Sequence, residues 1–150
     1  MKHVETTVRV EAPPEALIRA FIDVEAMGQW WGVDRGLVEP REGGTWALAW
    51  ERSPAGFKYV TTGRIMSLEP GRRICIAELV YFNPERRVLG PMTLTVEVAA
   101  VEGGSDMTIR QEGYQDGSDW NWYYDAVRVA WPEVAKSLKR YAELGSENND

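Results

Sequence analysis

From Trp120 to Tyr141 the apolar residues return at alternating spacings of four and three: Trp120, Tyr124, Val127, Trp131, Val134, Leu138 and Tyr141. At 3.6 residues per turn this is one apolar stripe about six turns long, the mark of a single long amphipathic helix. Asp119 is placed to cap it. Pro132 interrupts it, because a proline removes one backbone hydrogen bond, and a kink or split is expected just before that point. Such a helix has to bury its stripe, and nearly everything upstream reads as strands that need a cover.

Val4, Thr6, Val8 and Val10 alternate with Glu5, Thr7 and Arg9, which is a strand with one inward face. Ala12-Pro13-Pro14-Glu15 ends it and opens a short helix carrying Leu17, Ile18 and Phe21. Asp23 caps a second short helix that reaches Trp30. After glycines at 32, 36, 43 and 44, a strand over 45–50 aligns Trp46, Leu48 and Trp50. A strand over 57–68 follows with Phe57, Tyr59, Thr61, Gly63 and Ile65 in phase, and a bulge is expected near Met66-Ser67. Three more strands are read at 73–81, 92–98 and 107–112, separated by turns at Glu69-Pro70-Gly71-Arg72 and Glu102-Gly103-Gly104-Ser105 and by a polar loop over 83–90.

The fold class is therefore α+β: an antiparallel sheet, two short helices after its first strand, and a long C-terminal helix as the cover. The 150 residues suit one domain, taken as 1–145, with the polar residues 146–150 as a frayed tail. A net charge of −6 disfavours a nucleic-acid partner. No apolar run reaches the ~20 residues that span a bilayer. Met1-Lys2-His3-Val4-Glu5 has no apolar signal core, so a cytoplasmic location is the default expectation. Cys75, the sole cysteine, sits in the apolar run Ile74-Cys75-Ile76-Ala77 and is expected to be a buried, inert thiol.

Ala12-Pro13-Pro14-Glu15, Ala20-Phe21, Asp23-Val24-Glu25 and Gln29-Trp30-Trp31-Gly32 resemble the opening of the START-like helix-grip (SRPBCC) superfamily. Glu42-Gly43-Gly44-Thr45-Trp46, Gly63-Arg64-Ile65 with Leu68-Glu69-Pro70, and Ala130-Trp131 with Leu138-Lys139-Arg140-Tyr141 are similar to the branch related to the activator of the heat-shock-protein-90 ATPase. The resemblance spans essentially the whole chain. It implies a curved sheet gripping the last helix, with a cavity between them. The superfamily includes chaperone cofactors, polyketide cyclases and lipid or hormone carriers, so the resemblance does not fix the chemistry. Two positions depart from its pattern: Glu78 stands where an aromatic residue is common, and Gln111 where a histidine is usual.

The aromatic content, 7 Trp, 6 Tyr and 3 Phe, has two readings: these side chains fill the core, or they wall a pocket. On the strand phases Trp46, Trp50, Tyr59 and Met92 face the helix, and Trp120, Tyr123, Tyr124, Val127 and Trp131 face the sheet. Trp31 and Tyr114 are expected at opposite rims, with Trp131 as core filler and Tyr123 and Tyr124 as pocket residues. Gln111 continues the Met107-Ile109 face and should point inward, where a buried amide has to find partners. Glu78 is read as exposed. If inward, desolvation would raise its pKa and make it an acid.

No catalytic set is complete. His3 is the sole histidine, which removes histidine triads and multi-histidine metal sites. Gly43-Gly44 lacks the Lys-Ser/Thr of a phosphate loop. Asp116, Asp119 and Asp125 lack calcium-loop spacing. The expectation is binding of a hydrophobic or aromatic small molecule, with no metal and no cofactor. Two alternatives stay open: a chaperone-activator-like interaction module, self-association included, and a cyclase- or hydratase-type enzyme.

Overall fold

The N-terminal alternation becomes strand β1 (His3–Val10), with Val4 and Val10 buried and Glu5, Thr7 and Arg9 in solvent. The computed structural model describes residues 2–148, with side chains through 145. Helix α1 (Pro14–Ala20) starts on a proline, tolerated there because the first turn has no backbone partner for an N–H. Asp23 accepts the Ala26 amide at 3.2 Å and caps α2 (Val24–Trp30), as its position predicts.

Six further strands follow: β2 (Arg35–Val38), β3 (Thr45–Ser53), β4 (Gly56–Glu69), β5 (Arg73–Phe82), β6 (Leu89–Val101) and β7 (Gly104–Glu112). They form one antiparallel sheet in the order β1-β7-β6-β5-β4-β3-β2. The glycine pair before β3 has a steric reason. Gly43 has φ +83°, and a Cβ on Gly44 would lie 2.2 Å from the Glu39 carbonyl oxygen.

Two bulges reset the inward phase. Met66 is the extra residue between the pairs Ile65–Ile76 and Ser67–Cys75, so the predicted bulge is found there. A second bulge, not foreseen, lies in β5, where Glu78 adopts φ +54° between the pairs Thr62–Val80 and Arg64–Ala77. Ile74 and Ile76 face the core before it, and Leu79 and Tyr81 after it. Glu78 is thereby thrown outward, its side chain 67% exposed and 4.0 Å from Arg64.

Helix α3 (Ser118–Asn148) covers the sheet and packs along β1 and against α2. It continues through Pro132 without the expected split, because Trp131, Ala135 and Leu138 are buried on either side and hold both halves to one surface. Its first bond runs from the Asn121 amide to the Gly117 carbonyl, 2.9 Å, which makes Gly117 the cap. Asp119 lies instead in the first turn, near the positive end of the helix dipole, and pairs with Arg86 at 3.3 Å. The backbone stays helical past residue 145, where a tail was expected. Residues 149 and 150 and the side chains of 146–148 lie outside the described residues. Among the described residues no helix is long and apolar enough to cross a membrane. Cys75 is a buried free thiol.

Candidate functional site

The C-terminal ends of α1 and α2 leave carbonyls that no helical amide can reach. Tryptophan side chains satisfy several of them. Trp46 Nε1 donates to the Phe21 carbonyl at 2.8 Å and Trp30 Nε1 to the Ala20 carbonyl at 3.2 Å. Trp50 Nε1 donates to the Trp31 carbonyl at 3.2 Å, and Ser137 Oγ of α3 donates to the Trp30 carbonyl at 2.6 Å. These bonds tie β3 and α3 to the short helices.

Around Trp31 the rings close into a cluster. Trp30 stacks on it at a centroid distance of 5.1 Å, and Trp50 and Trp131 each approach to 5.3 Å, Trp46 to 6.1 Å. Such pairs contribute about 0.5–1.5 kcal/mol each beyond simple burial. The cluster does not fill the interior. Between β3–β6 and the middle of α3 lies a cavity of about 340 Å³, lined by Trp31, Trp46, Trp50 and Trp131, by Tyr59, Thr61, Leu79 and Leu94, and by Val127, Ala130 and Val134. Glu51, Gln111 and Tyr123 complete the wall. The volume is at the low end of the ~300–1,000 Å³ of small-molecule sites.

Gln111 does point inward and is 3% exposed. Its Oε1 accepts the Trp131 indole N–H at 2.8 Å. Its Nε2 donates to Tyr123 Oη at 3.0 Å and approaches Met92 Sδ at 3.3 Å. An indole N–H only donates, so this contact fixes which end of the amide carries oxygen. Burial pushes the Tyr123 hydroxyl well above the ordinary phenol range, partly offset by the Gln111 bond.

Trp31, Trp46, Trp50, Tyr59, Gln111, Tyr123 and Val127 thus meet at one cavity, and Trp31, expected at a rim, stands at the centre of the indole cluster. Met92 sits behind Gln111 and does not line it. Tyr114, Trp120 and Tyr124 do not line it; they cluster at the start of α3, with Tyr114 5.1 Å from Tyr124 and 6.2 Å from Trp120, and back onto the cavity wall through Tyr123, 6.1 Å from Tyr114 and 6.4 Å from Trp120. Tyr114 is not at a rim. It is 8% exposed, its hydroxyl has no partner among the described residues, and burial pushes its pKa up. Trp131, read from sequence as core filler, both packs in the core and lines the cavity.

Sequence reasoning missed Glu51, Thr61, Leu79, Leu94, Ala130 and Val134 as wall residues. Thr61 and Leu94 share phases with Tyr59 and Met92, which was a usable signal. Leu79 was hidden by the bulge at Glu78. Among the described residues no group of His, Cys, Asp and Glu is disposed to hold a metal ion.

Comparison with solved structures recovers the same architecture over the whole chain. Protein CV1439 from Chromobacterium violaceum is 28% identical with a TM-score of 0.71, covering 95% of this chain and 99% of that one. The Aha1 dimer from Colwellia psychrerythraea gives 16% identity and a TM-score of 0.73, covering 97% of this chain and 98% of that one. Protein MLL2253 from Mesorhizobium loti gives 16% and 0.74, covering 93% and 96%. At the lower identities the likeness is one of fold. Among curated proteins none matches. The family model for the activator of Hsp90 ATPase homolog 1-like protein matches residues 11–143, from the turn after β1 to the last turns of α3. With the helix-grip sheet and its covering helix in place, that match means that the chain belongs to the activator of Hsp90 ATPase homolog 1-like family.

Proposed function

We propose that this protein binds a small apolar or aromatic molecule in the cavity between sheet and α3. The observation that carries the reading is the unfilled 340 Å³ space walled by indole rings whose N–H groups, at Trp46, Trp50 and Trp131, are already bonded elsewhere. What these side chains offer a ligand is carbon surface, and burial of ligand carbon drives affinity at about 25 cal/mol per Å² before ordering costs. The size suits a one- or two-ring compound and is too small for a two-chain lipid. Glu78, on the outer side of the sheet, has no part in it. The cytoplasmic setting expected from the sequence belongs to the same proposal.

Native mass spectrometry of the purified protein, followed by a thermal-shift screen of small aromatic compounds, tests this. A retained or stabilising compound of that size supports it. No retained mass and no shift with any compound up to millimolar concentration contradicts it.

The family match supports a second reading, contact with a chaperone ATPase. Stimulation of a purified Hsp90-type ATPase by this protein supports that reading, and no stimulation at stoichiometric excess removes it.

A further inference from the structure

The polar atoms of the cavity wall narrow what the occupant can be. Both Gln111 amide hydrogens are committed, to Tyr123 Oη and Met92 Sδ, so Gln111 can offer a ligand no donor, and its oxygen already accepts from Trp131. Because the indole fixes the amide orientation, the Tyr123 oxygen has to accept from Gln111. The phenolic proton of Tyr123 therefore has no acceptor among the described residues, although the ring is 8% exposed and lines the cavity. Any phenol keeps that proton at neutral pH, and burial holds it more firmly. A buried donor without an acceptor is costly, and a ligand oxygen is the group that removes the cost.

Charge works in the same direction. Among the described residues that line the cavity there is no Lys, Arg or His, and the one ionisable carboxylate is Glu51. Glu51 is exposed and so stands at the opening. It is held at φ +55°, a left-handed conformation that is uncommon for a residue with a side chain and that recurs at functional sites. Lys58, whose ammonium lies 5.3 Å from the Tyr59 ring and near Glu51, is outside the lining, so an anionic ligand would still have to leave water for a wall that carries no cation.

We infer that the cavity selects uncharged aromatic molecules carrying a hydrogen-bond acceptor such as a carbonyl or ether oxygen, donated to by Tyr123, and that it rejects carboxylates. This deepens the small-molecule reading above and rests on it. Tyr123 is then the specificity residue, and the cation-free lining is what excludes anions.

Three compounds of nearly one shape test it by calorimetric titration of the full chain: 2-acetylnaphthalene, 2-isopropenylnaphthalene, which replaces the carbonyl oxygen with CH2, and 2-naphthoate. The ketone is expected to bind roughly tenfold more tightly than the alkene, the worth of one buried hydrogen bond. Naphthoate is expected to bind at least about tenfold more weakly than the ketone. In Tyr123→Phe the ketone's advantage disappears while alkene binding persists. The wild-type comparison stands even if that variant does not fold. Equal binding of ketone and alkene to the wild type, or naphthoate binding as tightly as the ketone, overturns the inference while leaving the cavity reading intact. Absence of binding by all three overturns the inference, and together with no hit in the wider screen it removes the cavity reading itself.

Discussion

Replacing Gln111 with leucine probes the buried polar contact between sheet and helix at its centre. The substitution nearly preserves volume. It leaves the Trp131 indole N–H buried without its acceptor, a cost of about 1–3 kcal/mol. The Tyr123 hydroxyl loses its donor, at a further cost of about 1 kcal/mol. Greater apolar burial of leucine returns about 1 kcal/mol. The expected net loss is about 1–3 kcal/mol, out of the 5–15 kcal/mol typical of a domain. For a 150-residue chain that lowers the melting temperature by roughly 2–12 °C. Urea unfolding followed by far-UV circular dichroism measures the loss, and an unchanged m-value shows that the native fold is retained. Trp131→Phe alone strands the amide oxygen instead. In the double variant neither orphan remains, so the two losses should overlap by about 1–2 kcal/mol. Losses that add to within about 0.5 kcal/mol would mean that the two side chains do not depend on one another, and the reasoning about Gln111 would fail.

Tyr114→Phe removes a buried hydroxyl that has no partner and should raise stability by about 1 kcal/mol; a destabilised variant in the same urea assay would mean that the hydroxyl is satisfied. Glu78→Gly relieves a left-handed backbone and gives up only an exposed, 4.0 Å ion pair, so a gain of about 0.5–1 kcal/mol is expected, and a loss would contradict it. Tyr81, Tyr114 and Tyr123 all have pKa values raised by burial, so the folded chain keeps protons that the unfolded chain sheds above about pH 10. Their contribution to stability is therefore fully present below that pH and falls as pH rises, with a slope approaching about 1.4 kcal/mol per pH unit for each tyrosine. Urea midpoints between pH 9 and 11.5 should fall accordingly, and a Tyr123→Phe variant should show a shallower fall. A flat profile would refute the assignment.

Much of the fold was legible because it rests on periodicity. The β-branched alternation of β1, the stripe of α3, the Asp23 cap and the bulge at Met66 are all local signals, and the family resemblance ordered them. β2 was missed because Arg35-Gly36-Leu37-Val38 is a short edge strand with little buried surface and no alternation to read. The bulge at Glu78 was missed because Ile74-Cys75-Ile76-Ala77 and Leu79-Val80-Tyr81 are apolar on both faces, so no phase change is visible in sequence. The site was half legible. Strand phase correctly set Trp46, Trp50, Tyr59 and Gln111 inward. The helix stripe treats Trp120, Tyr124 and Trp131 as equivalents, yet α3 lines the cavity with Tyr123 and then Val127 to Val134, while Trp120 and Tyr124 pack on Tyr114. That division depends on where the helix starts relative to the sheet edge, which no spacing records. The partnership of Gln111 with Trp131 and Tyr123 is likewise a contact between distant segments.

Indole N–H resonances in a 15N-labelled sample, recorded while naphthalene is titrated in, test the unfilled interior most directly. The chain has seven tryptophans, and the structure divides them. Trp31, Trp46, Trp50 and Trp131 wall the space and their signals should move together along one saturable curve, while those of Trp120, packed on Tyr114, and Trp122, whose ring lies under the Arg86 guanidinium at 4.1 Å, stay fixed. No movement at the solubility limit of the probe, or movement led by Trp120 and Trp122, would contradict an accessible cavity beneath α3.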